Sequence, residues 1–407
     1  MSQGLDFLSG ASFATSVLFV FVFLASGAFL LLWKIERQKH LRLWLPSYVR
    51  GRRAPKGPSR KPEHIIFCWV DHFEPFDLRR SMAENWRVMN AWLDLYPKLA
   101  HRHADSNGIC PQHTWFYPGE GYEPDFVKTL VQLTRDGYGE VELHLHHGND
   151  DEVSLRERLE TCKRLFAQHG LLQVNGSPSE FAFAFIHGDM ALCNSRGTRE
   201  LCGVNDELRI LREAGCFADF SLPTYPCVSQ TRKINSIYYA SSSRDRIKGH
   251  DDGVDVRVGG TPQGHVLLVQ GPLALNWVRR KWRIVPHVEN GEITAANPGT
   301  PDRIHLWVEQ GIHVRGRKDW ILVKVSCHGA QPQDRDALLG EHADRLYSEL
   351  ERCYRDQVGY HLHYVTAREM YNIIKAAEAG KEGDPHLYRN FVVPPYKAQA
   401  GAHPRWS

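Results

Sequence analysis

Between Asp6 and Lys34 the chain carries no charged side chain. The run from 11 to 33, built around SVLFVFVFLASGAFLLLW, is long enough as a helix to cross a bilayer core of about 30 Å. A buried helix of a soluble domain would show a polar stripe, and this run shows none. No basic segment precedes it and it exceeds the length of a signal-peptide core, so a cleaved leader is not expected. The chain is therefore expected to begin with one transmembrane helix, residues 1–34.

The flanking charges orient that span. Lys34, Arg37, Lys39, Arg42, Arg50, Arg52, Arg53, Lys56, Arg60 and Lys61 follow it, opposed only by Glu36. Positive charge collects on the cytoplasmic side, which places the amino terminus outside and the remainder in the cytoplasm, at a bacterial inner membrane. Residues 35–62 form a basic juxtamembrane linker, with RGRRAPKGPSRKP at 50–62 as a tether. Each such charge near anionic lipid contributes about 1 kcal/mol. Nucleic acid is not an expected partner, because the basic run stops at Lys61 and the net charge of the chain is only +3. The nine cysteines are scattered and form no C-x-x-C, and several, such as Cys68 and Cys216, sit in apolar runs, as reduced thiols of a reducing compartment do.

Beyond residue 62 strand-like and helix-like segments alternate. Strands are expected at 64–70, 113–118, 140–147, 181–188, 216–223, 319–329 and 360–366. Helices are expected at 85–96, 126–137, 154–170 (with Ser154 as cap), 205–215, 338–356 and 367–380. This alternation implies an α/β fold with a parallel sheet covered by helices. The expected architecture is a distorted (β/α)7-type barrel over 63–385. Residues 225–318, where the pattern blurs, would be an insertion, and 386–407 a tail. In such barrels the chemistry sits at the carboxyl ends of the strands.

Those ends are rich in histidine. The first strand runs into Asp71, His72 and Glu74. The third carries His144, His146 and His147, followed by Asp150 and Asp151. The fourth ends at His187 and Asp189, and the strand at 319–329 ends at His328. Imidazole and carboxylate are the ligands that zinc and similar divalent ions take. His144 and His146, two apart, share a strand face, whereas His147 lies at the turn. With 22 histidines in the chain, a single one at a strand end is more often a hydrogen-bonded rim residue. Three in four residues are harder to bury without a purpose, since each needs a partner.

The residues also carry a resemblance. CWVDHFEPF, GYGEVELHLHHGND, LREAGCFADFSLP and VKVSCHG stand in the order of the motifs of the NodB-homology polysaccharide deacetylases, carbohydrate esterase family 4. The chain resembles a divergent branch of that barrel superfamily over about residues 64–330. The second metal histidine falls at His146 or His147 rather than four residues after His144. His72 or Glu74 stands in for the family's metal-binding aspartate, and FIHGDMALCNSR replaces its arginine motif. The resemblance implies a divalent metal, zinc foremost, held by His144, by His146 or His147, and by His72 or Glu74. It implies Asp71 as general base and His328 as general acid in removing the acetyl group from an N-acetylated sugar. His187, Asp189, Tyr117 and Asp219 are the expected substrate contacts. The partners would be carbohydrate, the membrane and polysaccharide-synthesis proteins. Two rival readings stand beside this one. The first is a glycoside hydrolase of the same superfamily, pairing Glu74 with Asp150, Asp151 or Asp189. The second is a non-catalytic glycan-binding or assembly protein.

Overall fold

The computed structural model describes residues 33–53, 62–174 and 181–399, with Phe23, Ser26, Gly27 and Leu30 as isolated positions before them. The apolar run at 11–33 lies almost wholly outside the described residues. Among those residues no helix is long and apolar enough to cross a membrane.

The first element differs from the expected linker. Helix α1, Leu41–Arg53, falls within the expected basic linker at 35–62 and overlaps the start of its tether. It buries Trp44 and Tyr48 against Tyr225, Leu273, Ala274 and Leu306. The Trp44 and Tyr225 rings meet edge-on at 5.9 Å, and the Tyr48 hydroxyl accepts the Leu275 amide. The two aromatic residues stand four apart, on one helical face, which is the pattern that seats a helix on a neighbour.

From residue 63 the expected alternation is present. It runs β1 (Glu63–His72), α2 (Met82–Ala100), β2 (His113–Pro118), α3 (Pro124–Arg135), β3 (Gly139–Leu145), α4 (Glu152–Ala167) and β4 (Phe183–His187). It continues with α5 (Glu207–Glu213), β5 (Cys216–Asp219), β6 (Ile237–Ala240), β7 (Val254–Asp255) and β8 (Val266–Val269). Then come a hairpin of β9 (Ala274–Lys281) and β10 (Val285–Glu289), α6 (Pro301–Glu309) and β11 (Trp320–Cys327). The chain closes with α7 (Arg335–Leu339), α8 (Glu341–Tyr354), β12 (Tyr360–Val365) and α9 (Ala367–Glu378). Two local expectations are corrected. Asp151, not Ser154, caps α4, and Ser154 returns the bond from the third position as a capping box. The single helix expected at 338–356 is two, broken at Gly340.

The strands form one ten-stranded sheet in the order β11-β1-β2-β3-β4-β5-β8-β6-β7, with β12 also paired to β1. β1 pairs β11 along one edge. Its other edge pairs β12 over 63–68 and β2 over 69–72. β6 alone runs against the other strands of this sheet, pairing antiparallel with both β7 and β8. Because β8 pairs in parallel with β5, residues 237–269 build the main sheet rather than an insertion.

The sheet curls. β11 and β5 are five places apart, so a flat sheet would separate them by about 24 Å. Yet Lys324 of β11 donates from Nζ to the carbonyls of Phe220, at 2.8 Å, and of Leu222. Phe116 of β2 and Phe220 face each other at 6.0 Å. A Cβ on Gly271, just past β8, would stand 2.5 Å from the Lys324 carbonyl oxygen. The barrel is closed by this packing and not by a continuous ladder. Inside lie Ile66, Cys68, Val70, Phe116, Ile186 and Leu267, together with Met370, Ile373 and Ile374 of α9. Outside, Phe67, Trp69 and Leu143 meet the apolar stripes of α2, α3 and α4.

Candidate active site and a second histidine cluster

Strand parity decides which strand-end residues share a site. On β1, Phe67 and Trp69 face the outer helices while Cys68 and Val70 face the interior. His72 therefore faces inward, and Asp71 outward. On β3, Leu143 and Leu145 face outward, so His144 faces inward. These two imidazoles and Glu74, just past β1, have ligand atoms within 4.8 Å of one another. His144 donates from Nδ1 to the Ile186 carbonyl at 2.9 Å, which leaves Nε2 directed at Glu74, 3.1 Å away. A backbone acceptor of this kind fixes the tautomer of a metal-binding histidine. The His72 ring stacks on His328 at 4.8 Å and stands edge-on to His144 at 5.1 Å.

A histidine–glutamate pair flanks this trio on each side. Beside His144, His146 contacts Glu120 through Nδ1 at 2.5 Å and Glu74 through Nε2 at 3.7 Å. Its ring lies over Gly188, where a Cβ would come within 2.2 Å of it. Only glycine fits beneath that ring. Beside His72, His328 Nδ1 lies 3.5 Å from Glu292.

The protonation states divide accordingly. Burial, then the neighbouring imidazoles, hold His72 well below its usual pKa, as the neutral form a metal requires. Burial works to raise Glu74, but the His144 hydrogen bond and adjacent imidazoles outweigh it and keep the carboxylate ionised. Burial works to lower His146 and His328, but Glu120 and Glu292 outweigh it and raise both.

Several expected residues are not in this site. Asp71 is fully buried, and its carboxylate accepts from His113 Nε2 at 3.0 Å and from the Gly329 amide at 2.6 Å. With both oxygens engaged on the outer face of β1, it is not placed as a general base. Tyr117 packs in the outer layer, its hydroxyl held between the Gly121 carbonyl and the Glu123 amide. Asp219 is buried in the turn after β5, accepting from the Ser221 amide and hydroxyl at 3.0 and 2.8 Å. Both side chains are buried and occupied by these bonds. Asp189 is exposed beside His146, whose charged form it favours. For the glycosidase reading, Asp150 is tied to His147 and Asp151 caps α4, so neither pairs with Glu74 across the rim.

His147 and His187 belong to a separate cluster. His147 Nδ1 lies 2.7 Å from Asp150, and its Nε2 lies 3.1 Å from Glu207. His187 Nε2 lies 3.6 Å from the same Glu207 oxygen. Cys202 Sγ lies 3.5 Å from the other oxygen. All four side chains are buried.

Reading by strand ends misses Glu120, Glu292, Cys202 and Glu207. Glu120, two residues past β2, was within reach of that logic. The other three come from loops or from a helix start that carry no periodic signal.

No family model matches the chain, and no curated protein matches it. Two solved structures are similar to it in fold. One is a provisionally assigned polysaccharide deacetylase from Mycobacterium smegmatis, with 13% identity over 81% of this chain and 96% of that one and a TM-score of 0.43. The other is a provisionally assigned glycoside hydrolase/deacetylase from Parabacteroides distasonis, with 10% identity over 79% of this chain and 72% of that one and a TM-score of 0.39. At that distance the likeness carries no weight for the chemistry, which rests on the geometry above.

Proposed function

We propose that the chain is a metal-dependent amide hydrolase that removes the acetyl group from an N-acetylated sugar. The observation that carries this is the His72–Glu74–His144 trio at the strand ends, with a histidine–glutamate pair on either side. Two neutral imidazoles and a carboxylate suit zinc and leave a coordination position open. A bound ion would lower the pKa of a water and polarise the amide carbonyl. His146, steadied by Glu120 at Nδ1, takes the water's proton at Nε2. His328, steadied by Glu292, gives a proton to the departing amine. Asp71 fixes the Gly329 amide behind His328 and so positions that imidazole. The choice of an N-acetylated sugar follows from the motif order in the sequence. Acetate released from N-acetylglucosamine oligomers by zinc-loaded wild type, and not by Glu74→Gln or His328→Gln, is the expected result. Reducing ends without acetate would replace this reading with glycoside hydrolysis. Neither product would overturn both.

We also propose that this chemistry takes place at a membrane surface on the cytoplasmic side, on a lipid-linked sugar. The apolar run at 11–33 supports the anchor. A second feature supports the working face: the β9–β10 hairpin exposes Trp277, Val278, Trp282 and Ile284 among Arg280, Lys281 and Arg283. Exposed tryptophan beside basic residues is the composition of a membrane-interface contact. Glu292, which steadies His328, lies three residues beyond the end of that hairpin. A reporter fused after Ser407 should be active only inside the cell, and activity only outside would overturn the orientation.

A further inference from the structure

We propose that His147, His187, Cys202 and Glu207 bind a second metal ion, a structural zinc, separate from the rim site. Two imidazoles, a thiolate and a carboxylate supply four protein ligands, the closed tetrahedral set that zinc takes when it serves structure. All four are at most 3% exposed, so the site has no room for substrate.

The orientation of the two imidazoles is the strongest observation. Each has Nδ1 turned to an acceptor outside the cluster, His147 to Asp150 at 2.7 Å and His187 to the Gly188 carbonyl. That leaves both Nε2 atoms aimed at Glu207 Oε1, at 3.1 and 3.6 Å. Metal-binding histidines are held in this way by outer acceptors. Two ligands on a tetrahedral zinc at ordinary bond lengths stand about 3.3 Å apart, which these distances bracket. The remaining ligands have their own supports. The Cys193 amide donates to Glu207 Oε2 at 2.6 Å, and the Asn194 amide donates to Cys202 Sγ at 3.2 Å.

A network of hydrogen bonds alone does not satisfy the cluster. If His147 is protonated, its two N–H groups serve Asp150 and Glu207. His187 Nε2 then remains fully buried with no hydrogen-bond partner. An orphaned ring nitrogen of this kind in a native interior requires an explanation. A cation at the centre supplies the missing partner. Binding displaces the thiol proton of Cys202 and the proton between His147 and Glu207.

The ion would tie the loop at 188–206 and the first turn of α5 to the paired ends of β3 and β4, where Leu145 stands opposite His187. Asp189, Met190, Cys193 and Asn194 all have positive φ in that loop. Non-glycine residues hold such angles only when their surroundings over-determine them. Gly188, the platform under His146, sits next to His187, so the ion would also steady one edge of the rim.

The test uses the full-length chain in detergent, stripped with chelator and reloaded with zinc or cobalt(II). Two zinc ions per chain are expected in wild type, one in His144→Ala and one in Cys202→Ser. Cobalt-loaded wild type should show thiolate-to-cobalt charge transfer in the near ultraviolet. That band should persist in His144→Ala and vanish in Cys202→Ser. Zinc should also raise the unfolding temperature of His144→Ala, which lacks only the rim ion. Absence of the thiolate band in cobalt-loaded wild type would overturn the proposal without reference to any variant. So would a zinc-independent unfolding temperature in His144→Ala.

Discussion

Two histidine clusters lie within a few residues of each other along β3, and they are built on opposite principles. At the rim, His146, Glu74 and His328 are each about one-third exposed, and the carboxylates steady rings that solvent can reach. Behind it, His147, His187 and Glu207 are sealed from solvent. In the reaction proposed above, the rim would leave a coordination position and proton-transfer groups facing out. The inner cluster turns both Nε2 atoms toward Glu207 and anchors each Nδ1 on an acceptor outside. On the two proposals above, similar residue types yield a reactive site where solvent enters and a staple where it does not.

The sharpest way to break this contrast is to cross the readouts. Glu207→Gln leaves buried imidazole facing an uncharged partner, so unfolding free energy should fall by about 3–5 kcal/mol. That is roughly 10 °C in Tm by calorimetry. Residual folded enzyme should keep its kcat, and a kcat loss with Tm unchanged would place the inner cluster in the chemistry. Glu74→Gln should do the reverse, lowering kcat by about a thousandfold, several kcal/mol of transition-state stabilisation, with Tm nearly unchanged. A Tm drop with kcat retained would make the rim a structural feature.

Glu120→Gln tests the support of the rim and not its core. Loss of an outer partner commonly costs about 10- to 100-fold, so acetate release should fall within that range while rim metal is retained. An unchanged rate would remove His146 from the proton path.

The smallest expected effect is a slope. Burial pushes the Asp219 carboxyl up to about 7 from the usual 3.8. The native state therefore favours the protonated form. Its contribution to stability is complete below the unfolded pKa and is lost as pH rises toward 7, by at most about 1.4 kcal/mol per pH unit. Asp219→Asn should flatten that decline in denaturant titrations between about pH 4 and 7. Because Ser221, which Asp219 holds, accepts the His187 amide, equal slopes would detach this turn from the inner cluster.

Much of the scaffold was legible before any coordinates. The strand at 113–118 falls where its apolar run placed it, and βα alternation foretold the parallel sheet. His144 and His146, two apart, bring their rings within 4.6 Å as strand parity predicts, although β3 ends at Leu145. The same parity separates Asp71 from His72, and the motif resemblance overrode that cue in pointing to Asp71 as base. Glu292 and Cys202 were illegible for another reason. Their partners are fixed by the register of distant strands, and no local pattern encodes that. β8 falls within HVLLVQG at 265–271, which reads as a short strand, but no local pattern says that it pairs with β5 in the main sheet. α1 was hidden by its charges, since a basic segment reads as tether until its two buried aromatics are noticed.

That helix has a mechanical consequence. Residues 33–39 are helical and end at His40, where φ turns to +45°. Across the bend, Glu36 accepts from the Arg42 amide at 3.1 Å and from its guanidinium at 2.9 Å. Trp44 and Tyr48 then bolt the next helix to the domain. A leash would let the catalytic mouth wander through a hemisphere, whereas this bracket gives it one bearing. If residues before Trp33 are held in a bilayer, the mouth keeps a set height and tilt above it. Reach is then decided by how far a substrate's sugar stands off the lipid surface. On the membrane reading proposed above, lengthening the bracket at His40 should change which lipid-linked sugars are deacetylated, without touching a single residue of the site.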